Sequence, residues 1–400
     1  MIGRTARRRA TVLVTDGEQR AALAVVRSLG RAGHTVYVCS SRSGSLAGAS
    51  RYARGRFVVP SPLTDPEAFA ADVIARCEAC SADVLLPVTE AALLPLLDPA
   101  HRPANVRLPF PDFDAFRSAC DKHYVTTIAK DLGIRVPAQV VLAEPSDAPP
   151  LDLRFPVVVK SARSVVDSGR RRMRTGAVHA ADAAALAAVV AEMPPAAYPL
   201  LVQERITGPG VGAFLLLWNG EVLASFCHRR LREKPPSGGV SVYAESVAPD
   251  AELLGAATAL LKRLDWRGVA MVEFKRDLQT GEPYLMEVNG RFWGSLQLAV
   301  DAGVDFPALL VAAALGEEVT PVRSYRVGTR TRWFLGDCDH LIARLRYSNE
   351  QLALPPGTGG RLAAVRDWIA AFHPGVRSEV LRYDDPLPAL REAIDWLRRR

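Results

Sequence analysis

The segment YLMEVNGR, residues 284–291, decides how the C-terminal half of this chain is interpreted. It begins as a buried strand, yet Glu287, Asn289 and Arg291 occupy alternate positions. Since successive side chains of a strand point to opposite faces, a carboxylate, an amide and a guanidinium share one face. A strand that only packs a core does not need such a face, so the pattern indicates a binding site.

The preceding segment GVAMVEFKRD, residues 268–277, predicts a partner strand that forms a hairpin with it around the turn LQTGE. The two apolar faces coincide in one register, which pairs Val272 with Val288 and Phe274 with Met286. The same register places Glu273 directly opposite Glu287. Facing carboxylates repel each other unless a cation lies between them, so we expect a cation at this hairpin. A solvated strand face is the alternative, and it explains any one of these residues but not their agreement with the apolar register.

The side chains on this face suit a hard divalent cation. Asn289 offers a third oxygen beside Glu273 and Glu287, and an all-oxygen set favours Mg²⁺ or Mn²⁺ over Zn²⁺. Magnesium commonly takes phosphate oxygens as its remaining ligands, which implies a polyphosphate. Arg291 can neutralise a phosphate or a carboxylate bidentately.

Two lysines and a basic loop precede the hairpin. Lys160 ends the apolar strand FPVVVK and suits a polyphosphate, although an ordinary strand-end charge is equally consistent with its position. Lys122, within ACDKHYV, is a second candidate, and the alternative interpretation is an ordinary surface residue of a helix. The segment 161–176, SARSVVDSGRRRMRTG, contains five arginines and is typical either of a lid that closes over phosphates or of an exposed turn.

The N-terminal segments predict a parallel sheet. TVLVT (11–15) and TVYVC (35–39) flank an apolar-periodic helix and form a βαβ unit, and two further short strands follow at 55–60 and 83–88. We expect a small open α/β domain over residues 1–112. Its first turn, TDGEQR, lacks the glycine pattern of a dinucleotide site, and GPGVG (208–212) precedes a strand instead of the required helix.

Composition favours a folded cytoplasmic protein. Of the 400 residues 49% are hydrophobic and 23% charged, and the net charge of +7 is concentrated in the basic ends RTARRR (4–9) and RRR (398–400). Such ends are more typical of solvated tails than of nucleic-acid contacts, so we expect no nucleic-acid partner. The six scattered cysteines favour reduced thiols over a zinc site. The longest apolar runs are too short for a signal peptide or a bilayer span, so no membrane partner is expected.

These pieces, in this order, resemble the ATP-grasp superfamily, specifically carboxylate–amine ligases and the ATP-binding half of carbamoyl-phosphate synthase and biotin carboxylase. The resemblance covers about residues 1–315, and VEFKRD…GEPYLMEVNGRFWGS is its most specific part. It implies a pre-ATP-grasp α/β domain with an open parallel sheet (1–112) and an α+β ATP-grasp domain (113–319). Two subdomains of the latter would clasp ATP, with a mobile lid at about 155–205. An Arg-rich helical extension (320–400) would follow.

The resemblance also implies roles for individual residues. It makes Arg291 the arginine beside the transferred phosphate, and it makes QERI the adenine hinge, with Glu204 and the backbone near Ile206 facing the base. It makes Lys122 and Lys160 the lysines that contact phosphate. The ligands of Mg²⁺ (or Mn²⁺) would be Glu273, Glu287 and Asn289. The lid is richer in arginine than in glycine, and the segment 228–246 matches no substrate signature, so the substrates stay open.

The activity implied is that of an ATP- and Mg-dependent ligase, which activates a small carboxylate as an acyl phosphate for attack by an amine or similar nucleophile. One alternative is an ATP-binding regulatory or scaffold protein without ligation. A more remote one is a nucleotide-sugar glycosyltransferase, which would need a second nucleotide-binding βαβ domain in the C-terminal half. The expected partners are small carboxylate and amine substrates, and the oligomeric state, including a homo-oligomer, is left open.

Overall fold

The computed structural model describes residues 9–148, 152–169, 171–355 and 357–398. Most of the two basic ends and part of the Pro-rich stretch 144–156 lie outside the described residues. The first sheet is parallel, with strand order β3-β2-β1-β4. Its elements are β1 (Thr11–Val14), α1 (Arg20–Arg31), β2 (Thr35–Ser40), β3 (Ala53–Val58), α2 (Pro66–Ala79), β4 (Val84–Leu86) and α3 (Glu90–Leu97). This confirms the predicted open parallel sheet, whose interior strand β1 is almost entirely buried, as is typical of parallel strands.

The helix expected over residues 113–133 is two helices, α4 (Phe113–Cys120) and α5 (Lys122–Asp131). Asp121 separates them because its side chain accepts hydrogen bonds from the backbone N–H groups of His123 and Tyr124, both at 3.1 Å, and so caps α5. The break places Lys122 at the first position of α5, where it is only 7% exposed. The alternative of a surface helix residue is therefore wrong for Lys122.

A small antiparallel sheet with its own apolar core follows, in the order β5-β10-β6-β9. It includes β5, which precedes the predicted lid segment. The Arg-rich segment expected to be a loop is instead a two-stranded ribbon, β7–β8, and the Arg172 N–H of this ribbon donates to the Leu63 carbonyl of the N-terminal domain at 2.7 Å. The elements are β5 (Gln139–Leu142), β6 (Val157–Ser161), β7 (Val165–Ser168), β8 (Arg171–Arg174), β9 (Ala177–Ala180), α6 (Ala183–Glu192) and β10 (Leu200–Glu204).

The largest sheet has seven strands in the order β15-β14-β11-β12-β13-β16-β17. Its first hairpin turns at Asn219 and Gly220 with φ of 51° and 80°, which confirms the predicted turn. The elements are β11 (Gly210–Trp218), β12 (Glu221–Lys234), β13 (Val240–Ser246), α7 (Ala251–Arg263), β14 (Gly268–Arg276), β15 (Pro283–Asn289), α8 (Leu296–Ala302), α9 (Phe306–Ala314), β16 (Arg330–Arg332) and β17 (Val376–Ser378). In the described part of the chain no single helix is long and apolar enough to cross a membrane, and α8 with α9 would qualify only as a pair bent by 91°.

The register of β14 and β15 is as predicted at Glu273, which lies opposite Glu287. The expected pairing of Phe274 with Met286 is wrong, because a bulge after Glu273 pairs Phe274 with Leu285. A bulge adds one residue to one strand and turns its side chain away from the regular alternation. Leu285 thus enters the core, whereas Met286 lies on the same side as the carboxylates and lines the cavity described below.

The C-terminal extension contains α10 (Phe334–Arg346), α11 (Arg361–Ala370) and α12 (Leu387–Leu397). It is not only helical, because β16 and β17 extend the large sheet. It is joined to the N-terminal domain by Arg27, whose Nε donates to the Asp385 carboxylate at 2.8 Å while its Nη atoms donate to backbone carbonyls of the extension. Both side chains are almost completely buried, so this contact belongs to the core of the molecule.

Candidate active site

A cavity of about 510 Å³ lies between the small sheet and the large one. Its lining includes every residue for which the sequence predicted a role: Lys122, Lys160, Glu204, Ile206, Glu273, Glu287, Asn289 and Arg291. The small sheet supplies Lys160 and Glu204, and Ile206 follows its strand β10. Lys122 comes from α5, and the remaining residues come from β14, from β15 and from the segment after β15. Residues more than 160 positions apart in the chain therefore face one space.

The two facing carboxylates are balanced by different cations. Arg230 Nη2 donates to Glu273 Oε2 at 2.5 Å, and Lys122 Nζ lies 4.0 Å from Glu287 Oε2. Burial raises the pKa of Glu273 and the nearby charge of Glu287 adds to this, although Arg230 opposes both. Burial also disfavours the charge of Glu287, but Lys122 and Lys160 outweigh it and hold the pKa of Glu287 below its ordinary value.

Asn289 and Arg291 extend this network along the same face. The Asn289 side-chain amide donates to Glu287 Oε1 at 2.8 Å, and its carbonyl oxygen accepts from Arg291 Nη2 at 3.0 Å. Arg291 also donates to the Phe292 carbonyl at 3.0 Å. The three side chains are therefore held in fixed orientations toward the cavity.

The two predicted lysines converge from separate elements. Lys122 Nζ donates to Ser164 Oγ at 2.8 Å, and the Lys122 backbone N–H donates to the Ala162 carbonyl at 2.8 Å, so α5 is fastened to the end of β6. Lys160 has no carboxylate within ion-pair distance among the described residues. Burial lowers the pKa of Lys160 to about 8, even though Glu287 favours its charge. An anion entering the cavity would meet a cation that lacks a close partner.

More basic groups line the same cavity. His179, Arg205 and Lys275 line it, and the pKa of each is lowered, first by burial and for His179 and Lys275 also by neighbouring cations. The pKa of His179 falls to about 4. His179 is therefore uncharged at neutral pH, and the cations Arg205 and Lys275 are what suit this part of the cavity to a polyanion.

Comparisons with known proteins identify the fold. Residues 196–335 match a family model described as "ATP-grasp in the biosynthetic pathway with Ter operon". An L-amino acid ligase from Bacillus licheniformis has a similar structure, with a TM-score of 0.61 and 20% identity over 77% of this chain and 74% of that chain. The protein has the ATP-grasp fold.

Two further ATP-grasp structures resemble the chain to the same degree. An N5-carboxyaminoimidazole synthetase from Staphylococcus aureus has a TM-score of 0.61 and 14% identity over 81% of this chain and 82% of that chain. A biotin carboxylase from Campylobacter jejuni, solved as a β,γ-ATP complex, has a TM-score of 0.61 and 17% identity over 81% and 75%. No curated protein sequence matches the chain. At these identities the likeness establishes the fold, and it confirms the resemblance and fold class predicted from the sequence.

The ATP-grasp cavity contains a donor set that fits a divalent cation. Among the described residues no group of three or more His, Cys, Asp or Glu side chains is placed to hold a metal. The set is instead two carboxylates and one amide, Glu273, Glu287 and Asn289, all facing one space. Hard oxygen donors of this kind suit Mg²⁺, which keeps waters and takes phosphate oxygens to complete its shell. Arg230 donates to one oxygen of Glu273 and Asn289 donates to one oxygen of Glu287, so each carboxylate keeps one oxygen that accepts no hydrogen bond from the described residues.

The hinge residues of the ATP-grasp cavity are placed less decisively. Glu204 lines the cavity, but its Oε1 accepts from the Arg154 backbone N–H at 2.9 Å, which fastens β10 to the chain before β6. Ile206 also lines the cavity. The role predicted for these two residues, facing an adenine base, stays a prediction.

Sequence reasoning missed several groups in this ATP-grasp site. Arg230 and Glu233 come from the segment that matched no substrate signature, and their spacing of three on a strand gives no periodic signal because β12 is irregular at this point. Glu90, the first residue of α3, comes from the N-terminal domain. Burial raises the pKa of Glu90, although the charges of Lys122 and Arg291 oppose this. Only the packing of separate domains brings Glu90 near the site.

Proposed function

We propose that the chain is an ATP- and Mg-dependent ligase that activates a small carboxylate as an acyl phosphate for attack by an amine or similar nucleophile. The observation that carries the proposal is the convergence of Glu273, Glu287 and Asn289 with Lys122 and Lys160 on one cavity. An all-oxygen donor set beside buried lysines is the arrangement that a metal-bound polyphosphate requires.

In the proposed first step a carboxylate oxygen of the substrate attacks the γ-phosphorus of ATP. The new O–P bond forms as the bond to the β,γ-bridging oxygen breaks, and ADP leaves with that electron pair. Lys122 and Lys160 would bind the phosphate oxygens, and Arg291 would neutralise the transferring group and the acceptor carboxylate. Magnesium, held by Glu273, Glu287 and Asn289, would supply further neutralisation of the developing negative charge.

In the second step the amine nitrogen attacks the carbonyl carbon of the acyl phosphate. The C–N bond forms, the C–O bond to phosphate breaks, inorganic phosphate leaves and the nitrogen loses a proton. Neither step needs a protein nucleophile, because positioning and charge neutralisation supply the catalysis. This agrees with the lining of the cavity, which is rich in cationic side chains.

The alternatives differ in what they require. A glycosyltransferase would need a second parallel βαβ domain, but the sheets that follow the N-terminal domain are antiparallel apart from the short β16–β17 pair. That alternative lacks structural support. A regulatory ATP-binding protein would keep the same cavity and would be distinguished by nucleotide binding without turnover.

The test is hydroxylamine trapping with ATP, Mg²⁺ and a panel of amino acids and other small carboxylates. An acyl phosphate formed from the right acid is captured as a hydroxamate with release of ADP. The Lys160→Met variant serves as the matched negative control. Binding of a nucleotide analogue without ADP release across the whole panel would favour the regulatory alternative and contradict the ligase.

A further inference from the structure

A second cavity, of about 600 Å³, adjoins the first. Arg230 and Glu233 line both cavities and form the partition between them. Arg230 Nη1 donates to Glu233 Oε1 at 2.7 Å while its Nη2 donates to Glu273. Only the Arg230 guanidinium group would therefore separate a ligand in the second cavity from Glu273 and the facing Glu287.

The C-terminal extension builds the outer wall of this second cavity. Its helices α10 and α11 face strands β12 and β13, and His340 Nδ1 lies 2.6 Å from the Glu233 carbonyl oxygen. This contact ties α10 to the strand that carries the partition. The extension, whose purpose the sequence did not reveal, thus encloses a space beside the site.

The walls of the second cavity carry an excess of buried positive charge. Arg232 is 12% exposed and Arg344 is partly buried, and burial lowers the pKa of both guanidinium groups. Arg232 Nη2 and Arg344 Nε are buried without a hydrogen-bond partner among the described residues. Buried N–H donors without acceptors are costly, so an acceptor supplied by a ligand would stabilise both groups.

Nearby carboxylates balance this charge only in part, since Asp337 and Asp367 act on Arg232 and Asp367 acts on Arg344, yet the pKa of both guanidinium groups stays lowered. Asp337 is shared, because Arg232 Nε lies 2.9 Å from one of its oxygens and Arg332 Nε lies 2.6 Å from the other. Asp367 lines the cavity, but its side chain is 61% exposed and pairs with Arg366. Neither Arg232 nor Arg344 therefore has a carboxylate of its own to balance its charge.

We propose that this second cavity binds the oxyanion group of a small carboxylate- or phosphate-bearing molecule through Arg232 and Arg344. Guanidinium groups recognise carboxylate and phosphate in the same bidentate manner, so the shared chemistry is the oxyanion. A more specific version of this proposal rests on the proposed ligase function: the bound molecule is the nucleophilic substrate of the ligation. Its anionic end is anchored by the extension, and its amine is directed past Arg230 toward the acyl phosphate.

The test is direct titration of the full chain with inorganic phosphate and, separately, with succinate, followed by calorimetry. Four proteins are compared: wild type, Arg232→Gln, Arg344→Gln and the control Arg346→Gln, which changes an exposed arginine of the same helix. Lys160→Met is titrated as well, because phosphate that binds the first cavity should be weakened by that change. Thermal unfolding of each variant checks that the fold is retained, and Arg344→Gln leaves the Asp337 pair intact.

We expect wild type to bind at least one of the two anions with a dissociation constant on the order of 1 mM. Arg232→Gln and Arg344→Gln should each weaken that binding about tenfold or more, whereas Arg346→Gln leaves it unchanged and Lys160→Met removes only the contribution of phosphate bound in the first cavity. Phosphate binding without succinate binding would identify a phosphate-bearing ligand, and the reverse a carboxylate. Absence of binding to wild type, or binding lost only in Lys160→Met, would overturn the second site. Since no ATP is present, the result is independent of whether hydroxylamine trapping succeeds.

Discussion

Glu273 and Glu287 face each other across β14 and β15, but each carboxylate has its own cation: Arg230 pairs with Glu273, and Lys122 and Lys160 act on Glu287. This division explains how two like charges persist in a buried hairpin. It also distinguishes the two carboxylates, because only Glu287 interacts electrostatically with both lysines that are predicted to bind phosphate.

Replacing Glu287 with Gln should reduce Mg-dependent ADP release at least about 100-fold, because the donor set loses a charged oxygen. It should also lower the unfolding temperature. Relief of the repulsion with Glu273 is outweighed by the loss of the charge that stabilises Lys122 and Lys160. ADP release and thermal unfolding are the measurements. Glu282→Gln, in the exposed turn of the same hairpin, is the control and should change neither quantity appreciably.

The affinity for a nucleotide should fall as the pH rises above 8. The pKa of Lys160 is about 8 before a polyanion binds, and phosphate favours its charged form. Binding therefore takes up a proton above this pH, and the dissociation constant should rise by about tenfold per pH unit. Titration of an ATP analogue with Mg²⁺ between pH 7 and 10 would measure it. In Lys160→Arg, which stays charged, the slope should disappear; an equal slope in both proteins would exclude Lys160 as its source.

His228 should make the fold sensitive to acid. It is buried beside Phe214 and Phe226, neither ring nitrogen has a hydrogen-bond partner among the described residues, and burial lowers the pKa of His228 to about 3. The unfolded state binds a proton near pH 6.5 that the folded state binds only near pH 3. The free energy of unfolding should therefore decrease by about 2 kcal/mol between pH 7 and pH 5.

In His228→Phe this part of the acid sensitivity should vanish, because the new ring packs in the same aromatic cluster without a titrating group. Urea unfolding at pH 7 and pH 5 compares the two proteins. His123→Phe changes an exposed histidine and should keep the wild-type pH dependence. The prediction fails if His228→Phe loses stability in acid as steeply as wild type.

The buried pair of Arg27 and Asp385 should be essential for attachment of the C-terminal extension. Asp385→Asn leaves the Arg27 guanidinium buried without its counter-charge, at a cost of about 3–5 kcal/mol in the free energy of unfolding. The neighbouring exposed pair of Arg31 and Asp384 offers a control, and Asp384→Asn should cost about 1 kcal/mol or less.

A double-mutant cycle separates the pair from its surroundings. Because Arg27→Met and Asp385→Asn each leave one uncompensated partner, the double variant should cost less than the sum of the single changes. Chemical denaturation measures all three. Additive costs would show that the two side chains stabilise the fold independently.

Several site residues could be predicted because their signals are local. The alternation of Glu287, Asn289 and Arg291 and the apolar pairing of Val272 with Val288 are properties of strands, whose period of two is visible in the letters. The bulge that moves Met286 to the cavity was not predictable, because it depends on how the whole sheet packs. The position of Lys122, surface or buried, was ambiguous for a related reason. The cap at Asp121 is a local feature, but Lys122 is buried by contact with the segment that follows β6.

The amino-acid sequence alone predicted the parallel N-terminal sheet, the turn at Asn219 and Gly220 and the facing carboxylates, and its motifs carried the ATP-grasp resemblance. The first three follow from short-range periodicity and turn chemistry, which each segment carries on its own. Three further features became visible only in the folded chain: Arg230 neutralises Glu273, Glu90 approaches from another domain, and the extension encloses a second basic cavity. Those contacts join residues distant in the chain, and their energies come from burial and charge pairing, which have no fixed spacing in sequence.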